Sequence, residues 1–369
     1  SVDLIDPVVF EEINNEGNIY FSQSFLKAFE VSNPQIEFKY ISISDSKKRI
    51  AALVLLQVIS LNVEGMLKNI KVGTLLRKGL GLLFCNEHIK IMFCGNVFLS
   101  GEHGIITADN NSQKEVYYEI GRAIDAVAAN IKPMHAIFIK DFKLASLNYT
   151  RQFLTFGYSE IKVEPNMIIK LKPEWKSFED YKDVLKSKYR IKANKADSVS
   201  STLETRLFSN QDFVTYKHEL QALYQNTIDK ASFNAQVLNL NTYGRLSTSI
   251  KNDFIVKGYF LENRLVGFLT ALVNDNKLDA HFIGLDYDLN KSHSIYPRIL
   301  NDYIRIGIKK QVSSINLGRT ASEIKTTIGA NPLNLSCYIK HKNPFFNMLI
   351  RPFLKRIKIK EFKQHSPFK

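Results

Sequence analysis

The chain has 369 residues, 45% of them hydrophobic, and 50 Lys and Arg against 36 Asp and Glu, for a net charge of +14. That length suffices for two domains of ordinary size, each with its own core, and the apolar share is that of a globular protein. No eighteen consecutive apolar residues occur. The longest run, "IAALVLLQVISL" from Ile50, is too short to span a bilayer, so no transmembrane helix is expected.

The opening "SVDLIDPVVFEE" lacks a basic region followed by an apolar core, so no secretory signal is expected. The three cysteines, Cys85, Cys94 and Cys337, form no CxxC motif, and no histidine stands at ligand spacing from two of them. The expectation is free thiols in a reducing cytoplasm and no metal site.

The first part reads as helix then strands. "SQSFLKAFEVS" carries a helical apolar face at Phe25, Leu26, Ala28 and Phe29. "FKYISISD" alternates as a strand, and "RIAALVLLQVISLNV" reads as a central strand. "IKIMFCGNVFLSGEHGIIT" predicts a strand and a glycine-bearing loop, "QKEVYYEIGRAIDAVAANI" a helix, and "HAIFIKDF" a buried strand. "FGYSEIKVEPNMIIKL" predicts two strands broken at Pro165.

The second part repeats that order. "SFEDYKDVLKSKYRIKANKA" predicts one helix, capped by Ser177 with Glu179 and Asp180 in its first turn. A strand "LETRLFS" and a helix "QDFVTYKHELQALYQNTIDKA" follow. "DFIVKGYFLENRLVGFLTALVNDNKLDAHFIGLD" then predicts three antiparallel strands turning at "LENR" and "NDNK", before a helix "IYPRILNDYIRIGIKK" and a strand "SSINLG". The recurrence sets a boundary near Lys170 to Trp175. Residues 1–170 and 171–340 are each expected to form a mixed sheet flanked by helices, the two sheets being separate and superimposable.

The charge is concentrated. Lys182 to Lys195 holds six basic residues and one acidic, and Lys340 to Lys369 holds nine and one. These two stretches supply nearly the whole excess, which predicts anionic partners: phosphate groups, tRNA or an anionic membrane face.

The hairpins "GYFLENRLVGFLTALVNDNKLDAHFIGLD", the helix after them and "INLG" resemble the core of GNAT acyltransferases. With "KSKYRIKANKA", "LYQNTIDKASF" and "INLGRTASEIKTTIGA", the second half resembles more closely the GNAT-like domain of Fem-type peptidoglycan aminoacyltransferases and cellulose-biosynthesis-type acetyltransferases. The likeness covers about residues 175 to 340, and the first half resembles a second, diverged copy. It implies an α/β (α+β) protein of two tandem GNAT-like domains: 1–170 diverged, 171–340 the acyltransferase, and 341–369 a basic-aromatic tail.

The resemblance further implies N-acyl or aminoacyl transfer to an amine of an anionic cell-envelope or lipid-linked acceptor, with acyl-CoA or aminoacyl-tRNA as donor. A different class of function is a non-catalytic degenerate GNAT pair that binds RNA or an anionic membrane. One departure bears on the donor. GNAT enzymes hold the coenzyme A pyrophosphate on a glycine-rich loop at a helix start. Here "DYDLNKSHSIYPRIL" has no glycine, so coenzyme A binding in that manner is not expected. Arg298 in this stretch is a substrate-contact candidate.

Acyl transfer needs donors for the developing oxyanion, a proton acceptor and substrates held together. In "SSINLGRTASEIKTTIGA" Arg319 suits a planar carboxylate or phosphate and Lys325 a point charge, with Gly318 and Gly329 permitting close backbone approach. Six residues apart, the two cations are expected to fold back onto one anionic group. Tyr189, Arg190 and Lys192 crowd the basic helix and suit anion capture. Asp279 and His281 alternate on one strand and present a base with its orienter, and Tyr338 is an outlying catalytic candidate. Asn96 and His103, in "CGNVFLSGEHG", are expected to line an acceptor pocket. The tail through 344–362 mixes aromatic bulk with lysines, which suits a membrane interface, with Pro352 interrupting any helix. The expected location is cytoplasmic, peripheral at the inner membrane face.

Overall fold

The computed structural model describes all residues except 15, 63–87, 109–111, 232–233, 355, 357–358 and 360. Cys85 and part of the 344–362 tail lie outside the described residues. Twelve strands are described: β1 (Glu37–Ser44), β2 (Ile50–Asn62), β3 (His88–Cys94), β4 (Ile105–Thr107), β5 (Ala136–Lys143), β6 (Ser159–Lys170), β7 (Glu204–Leu207), β8 (Phe254–Leu261), β9 (Arg264–Asn274), β10 (Lys277–Leu285), β11 (Ser314–Asn316) and β12 (Asn331–His341). They form one mixed sheet, β1-β2-β3-β5-β12-β6-β11-β10-β9-β8-β7, with β4 beside β2, flanked by helices.

The fold is α/β of the expected kind, but the expected pair of separate sheets is corrected: the sheet is continuous. The reason lies in its centre. In the first half β1, β2 and β3 form an antiparallel meander, β5 lies parallel to β3, and β12 lies antiparallel to β5. In the second half β8, β9 and β10 form the meander, β11 lies parallel to β10, and β6 lies antiparallel to β11. Each half therefore receives its last strand from the other, and β6 and β12 pair with each other antiparallel.

Local sequence explains most elements. Glu262 and Asn263 both have positive φ, +49° and +65°, which suits the two-residue turn joining β8 to β9. β9 is buried from Leu265 to Val273, as befits an apolar central strand covered on both faces. Pro165 does not end its strand. β6 is continuous, and its register against β12 shifts around Glu164 and Pro165, so a bulge absorbs the residue that cannot donate a ladder hydrogen bond.

The helix expected after Ser177 is two, Phe178–Asp183 and Ser187–Val199. Lys186 N–H, at the break, goes to Pro367 O (2.8 Å) in the returning C-terminal tail. The next predicted helix also divides, at Tyr216. Pro352 does not prevent a helix at Pro344–Leu354, because it falls in the last turn.

The two faces of the sheet are covered differently. On one face each half has its own core: Ile120, Ile124 and Phe153 over the first, Tyr181, Ile299 and Tyr303 over the second. On the other face a single core spans both halves, joining Phe25, Phe29 and Phe98 to Leu220, Tyr243 and Phe268. Full burial of each such aromatic contributes roughly 1.5–3 kcal/mol. Asn33 pins this contact, its amide donating to Phe29 O (2.8 Å) and Thr242 Oγ1 (3.2 Å). No helix among the described residues is long and apolar enough to cross a membrane.

Candidate active site

The loop Gly95–Gly104 leaves β3 where the two halves meet, and five side chains from outside it hold its backbone while its own Glu102 reaches back to β5. Lys140 Nζ donates to Asn96 O (2.7 Å) and Leu99 O (2.5 Å). Gln57 Oε1 accepts from Val97 N–H (2.8 Å), Asp141 Oδ2 from Gly101 N–H (3.1 Å) and Glu102 from Lys143 N–H (2.9 Å). From the other side, Asn166 Nδ2 donates to Ser100 O (3.2 Å) and His281 Nε2 to Phe98 O (3.0 Å). Gly104 is required because a Cβ there would stand 2.8 Å from Gly95 Cα.

Asp141 is the centre of this arrangement. It is fully buried and takes φ of +74°, a conformation that non-glycine residues seldom hold without compensation. β5 carries one extra residue here against β12, and this bulge aims the consecutive Lys140 and Asp141 side chains at the same loop. Asp141 pairs with Arg319 from beyond β11, lies 3.6 Å from Lys140 Nζ and receives the Cys337 thiol at 3.3 Å. Burial alone would raise its pKa, but Lys140, Arg319 and Gly101 N–H outweigh burial and hold it below the usual carboxylate value. Burial lowers the pKa of Lys140 against the upward pull of Asp141.

Beside this cluster, Tyr20 donates to Asp279, whose other oxygen accepts from Asn316 Nδ2 (2.8 Å). Burial, with Asp279 adding to it, raises the Tyr20 pKa well above 10, so the phenol keeps its proton. His103 stacks on Tyr20 with ring centroids 4.0 Å apart. Burial lowers its pKa below 6.5 against the opposing pull of Asp279, leaving a neutral imidazole at pH 7. His103 Nδ1 has no protein partner, and neither do Arg319 Nε, Asn96 Nδ2, Asn166 Oδ1 or Gln57 Nε2. Buried polar atoms are normally paired, so their concentration around one loop makes it the candidate site.

Several expectations are corrected by these contacts. His281 is not a base oriented by Asp279. Its Nε2 faces a carbonyl and so carries the proton, its Nδ1 accepts from Tyr243 OH (3.1 Å), and burial pushes its pKa down to about 4. The register of β10 shifts between Ala280 and Ile283, which takes His281 out of step with Asp279. Tyr338 is fully buried in the first-half core and bonds Thr150 (2.9 Å), not His281 or Asp279.

Lys325 does not join Arg319 on one anion. It is buried, its Nζ donates to Leu317 O (2.6 Å), and burial pushes its pKa down to about 7. Arg298 is spent on Asp302 (3.2 Å) and Ser200 (3.3 Å).

Tyr189 and Lys192 line a separate cleft of about 230 Å³ with Lys195, Ser294, Pro297 and Ile324. Tyr189 OH lies 3.3 Å from His365 Nδ1, and Arg190 makes no side-chain hydrogen bond or ion pair among the described residues. The start of the helix Ile295–Lys309 borders this cleft, yet it offers little to a phosphate. Tyr296 N–H is taken by Asn290 Oδ1 (2.8 Å), and Pro297 has none to give.

Tyr20, Lys140 and Asp141 were invisible as site residues in the sequence. The one available signal was "IFIKDF", a Lys-Asp pair inside an otherwise apolar strand.

No protein-family model and no curated protein matches the sequence. Solved structures do match. A FemX crystal structure superposes with a TM-score of 0.54 at 8% identity, covering 89% of this chain and 93% of that one. The C-terminal domain of a lysylphosphatidylglycerol synthetase from Agrobacterium fabrum gives 0.53 at 8%, covering 95% and 94%. L-PGS from Bacillus licheniformis gives 0.51 at 11%, covering 95% and 97%. With its two meanders, parallel crossovers and exchanged strands, the chain shares its overall fold with these structures.

Proposed function

We propose that the chain transfers an aminoacyl or acyl group to an amine on an anionic cell-envelope or lipid precursor, at the junction described above. The observation that carries this reading is His103: a neutral imidazole with an uncommitted ring nitrogen, stacked on Tyr20, which itself donates to Asp279.

In this reading the acceptor amine attacks the donor carbonyl carbon and a C–N bond forms. The amine proton passes to His103, the C–O bond of an aminoacyl ester (or the C–S bond of a thioester) breaks, and the leaving oxygen or sulfur takes up a proton. Arg319, whose side chain is partly exposed, suits the acceptor's anionic group. At the start of the helix Ile295–Lys309 the Tyr296 and Arg298 N–H groups are taken and Pro297 has none, which favours aminoacyl-tRNA over acetyl-coenzyme A as donor, and Lys192 and Lys195 suit its phosphates.

The test offers radiolabelled aminoacyl-tRNAs, and separately labelled acetyl-coenzyme A, with anionic phospholipid and nucleotide-linked peptide acceptors. Label is expected to move from aminoacyl-tRNA into an acceptor, and His103→Ala to slow this by about a hundredfold or more while tRNA binding persists. Retained tRNA binding with no transfer to any acceptor would make the chain a binding module. Undiminished turnover by His103→Ala would remove the histidine from the mechanism.

A further inference from the structure

The helix Pro344–Leu354 is mounted the wrong way round for a surface helix of a water-facing protein. Such helices turn their apolar stripe inward. Here the one buried residue is polar: Asn347, whose amide donates to Gly157 O (2.9 Å) and whose oxygen accepts from His341 N–H (2.9 Å). Arg351 adds a second bond to Gly157 O (3.0 Å). Phe346, Ile350 and Leu354 are half-buried, but a second set of apolar residues faces outward, with Phe345 60%, Met348 61%, Leu349 41% and Phe353 50% exposed. Spaced at i, i+3, i+4 and i+8, they form a stripe along one side of the helix.

We propose that this stripe is a docking surface for an anionic lipid bilayer. The choice of occupant rests on charge. Lys342, Arg351 and Arg356 flank the stripe, and the sequence adds Lys355, Lys358 and Lys360 just beyond it. From Lys340 to Lys369 there are nine basic residues and one acidic. A second copy of this chain would bring the same positive charge to the contact and be repelled, whereas RNA would meet the lysines and stack bases on the phenylalanines but leave the aliphatic Met348 and Leu349 between them bare. An interface of anionic headgroups over acyl chains meets both sets of residues.

The polar anchorage through Asn347 and Gly157 holds the stripe clear of the body, so that Phe345, Met348 and Phe353 enter the headgroup boundary while the basic residues stay among the phosphates. This surface deepens the reading of a lipid or envelope acceptor by naming where the protein meets it. It does not depend on the transfer chemistry, because binding to vesicles requires no turnover.

The test is flotation of the full chain with phosphatidylcholine vesicles, with and without phosphatidylglycerol. The chain is expected to float with the anionic vesicles only, and high salt should release it. The triple variant Phe345→Ser, Met348→Ser, Phe353→Ser should bind at least about tenfold more weakly while melting at the same temperature, since these side chains are exposed. Equal flotation of the variant, equal binding to both vesicle types, or no binding by the wild type would each overturn the proposal. So would a dimer in light scattering that the triple variant dissociates, which would make a second copy the occupant. Release by tRNA of a chain that ignores vesicles would make RNA the occupant.

Discussion

Replacing His281 with glutamine tests whether this histidine ties the halves together or serves chemistry. Its Nε2–H donates to Phe98 O of the first half, and its Nδ1 accepts from Tyr243 OH. Protonation would place a second N–H and a charge in this part-buried position, and burial accordingly pushes the pKa down from 6.5 to about 4. The unfolded chain thus binds a proton that the folded chain refuses between those values. Stability is unaffected above about pH 6.5 and falls on acidification by about 1.4 kcal/mol per pH unit, to a total of about 3 kcal/mol near pH 4. Urea unfolding, followed by the fluorescence of the single tryptophan, Trp175, at pH 7, 5.5 and 4 in wild type and His281→Gln measures it. Other carboxylates and histidines titrate alike in both proteins, so the difference isolates His281. The variant is expected to lose about 3 kcal/mol less than wild type across this range. Parallel pH profiles would refute the assignment of a neutral structural imidazole.

Asp141→Asn leaves Lys140 and Arg319 without their buried counter-charge and is expected to cost about 3–5 kcal/mol in urea unfolding. That loss should shrink at alkaline pH, because the folded Lys140, with its pKa below 10.5, sheds its proton before the unfolded chain does. Lys325, with a folded pKa of about 7, penalises the folded state below pH 7. Wild-type stability should therefore rise between about pH 7 and 10 by about 1.4 kcal/mol per unit from this group, a slope that Lys325→Met should lack. Gly329 has φ of +94° and a Cβ there would stand 2.4 Å from the Phe368 ring. Gly329→Ala is expected to destabilise by about 1–3 kcal/mol in thermal melting, and Phe368→Ala should remove part of that cost.

The elements themselves were legible because each rests on local periodicity. The β8–β9–β10 meander follows from its apolar runs and from turns at 261–264 and 274–277, and all three strands fall where those turns place them. What local pattern cannot express is partner choice. Nothing in "PLNLSCYIK" says that it pairs with "IFIKDFK" and "SEIKVEPNM" rather than with its neighbours in sequence, so the continuity of the sheet was hidden.

The site was read in part for the same reason. Arg319 follows a strand, as its sequence position implies, but its partner Asp141 lies in the other half and is turned toward it by a bulge. Asp279 was paired with His281 by strict alternation. The register shift in β10 breaks that alternation, and the residues that meet Asp279 are Tyr20 and Asn316, the first about 260 positions away.

The exchange of last strands has a consequence for how the molecule comes into being. The place of β12 is between β5 and β6, yet it leaves the ribosome about 190 residues after β5 has done so. Until then the nascent first half carries a strand edge of unpaired N–H and C=O groups in the middle of its future sheet, the kind of edge on which chains associate wrongly. Closure of that gap is also what completes the Asp141 surroundings, since Cys337 and Arg319 arrive with the same late segment. Closure of the sheet and completion of the Asp141 cluster are therefore one event: a chain released before β12 has emerged holds most of the apolar core but lacks the strand and the Cys337 thiol that close the junction.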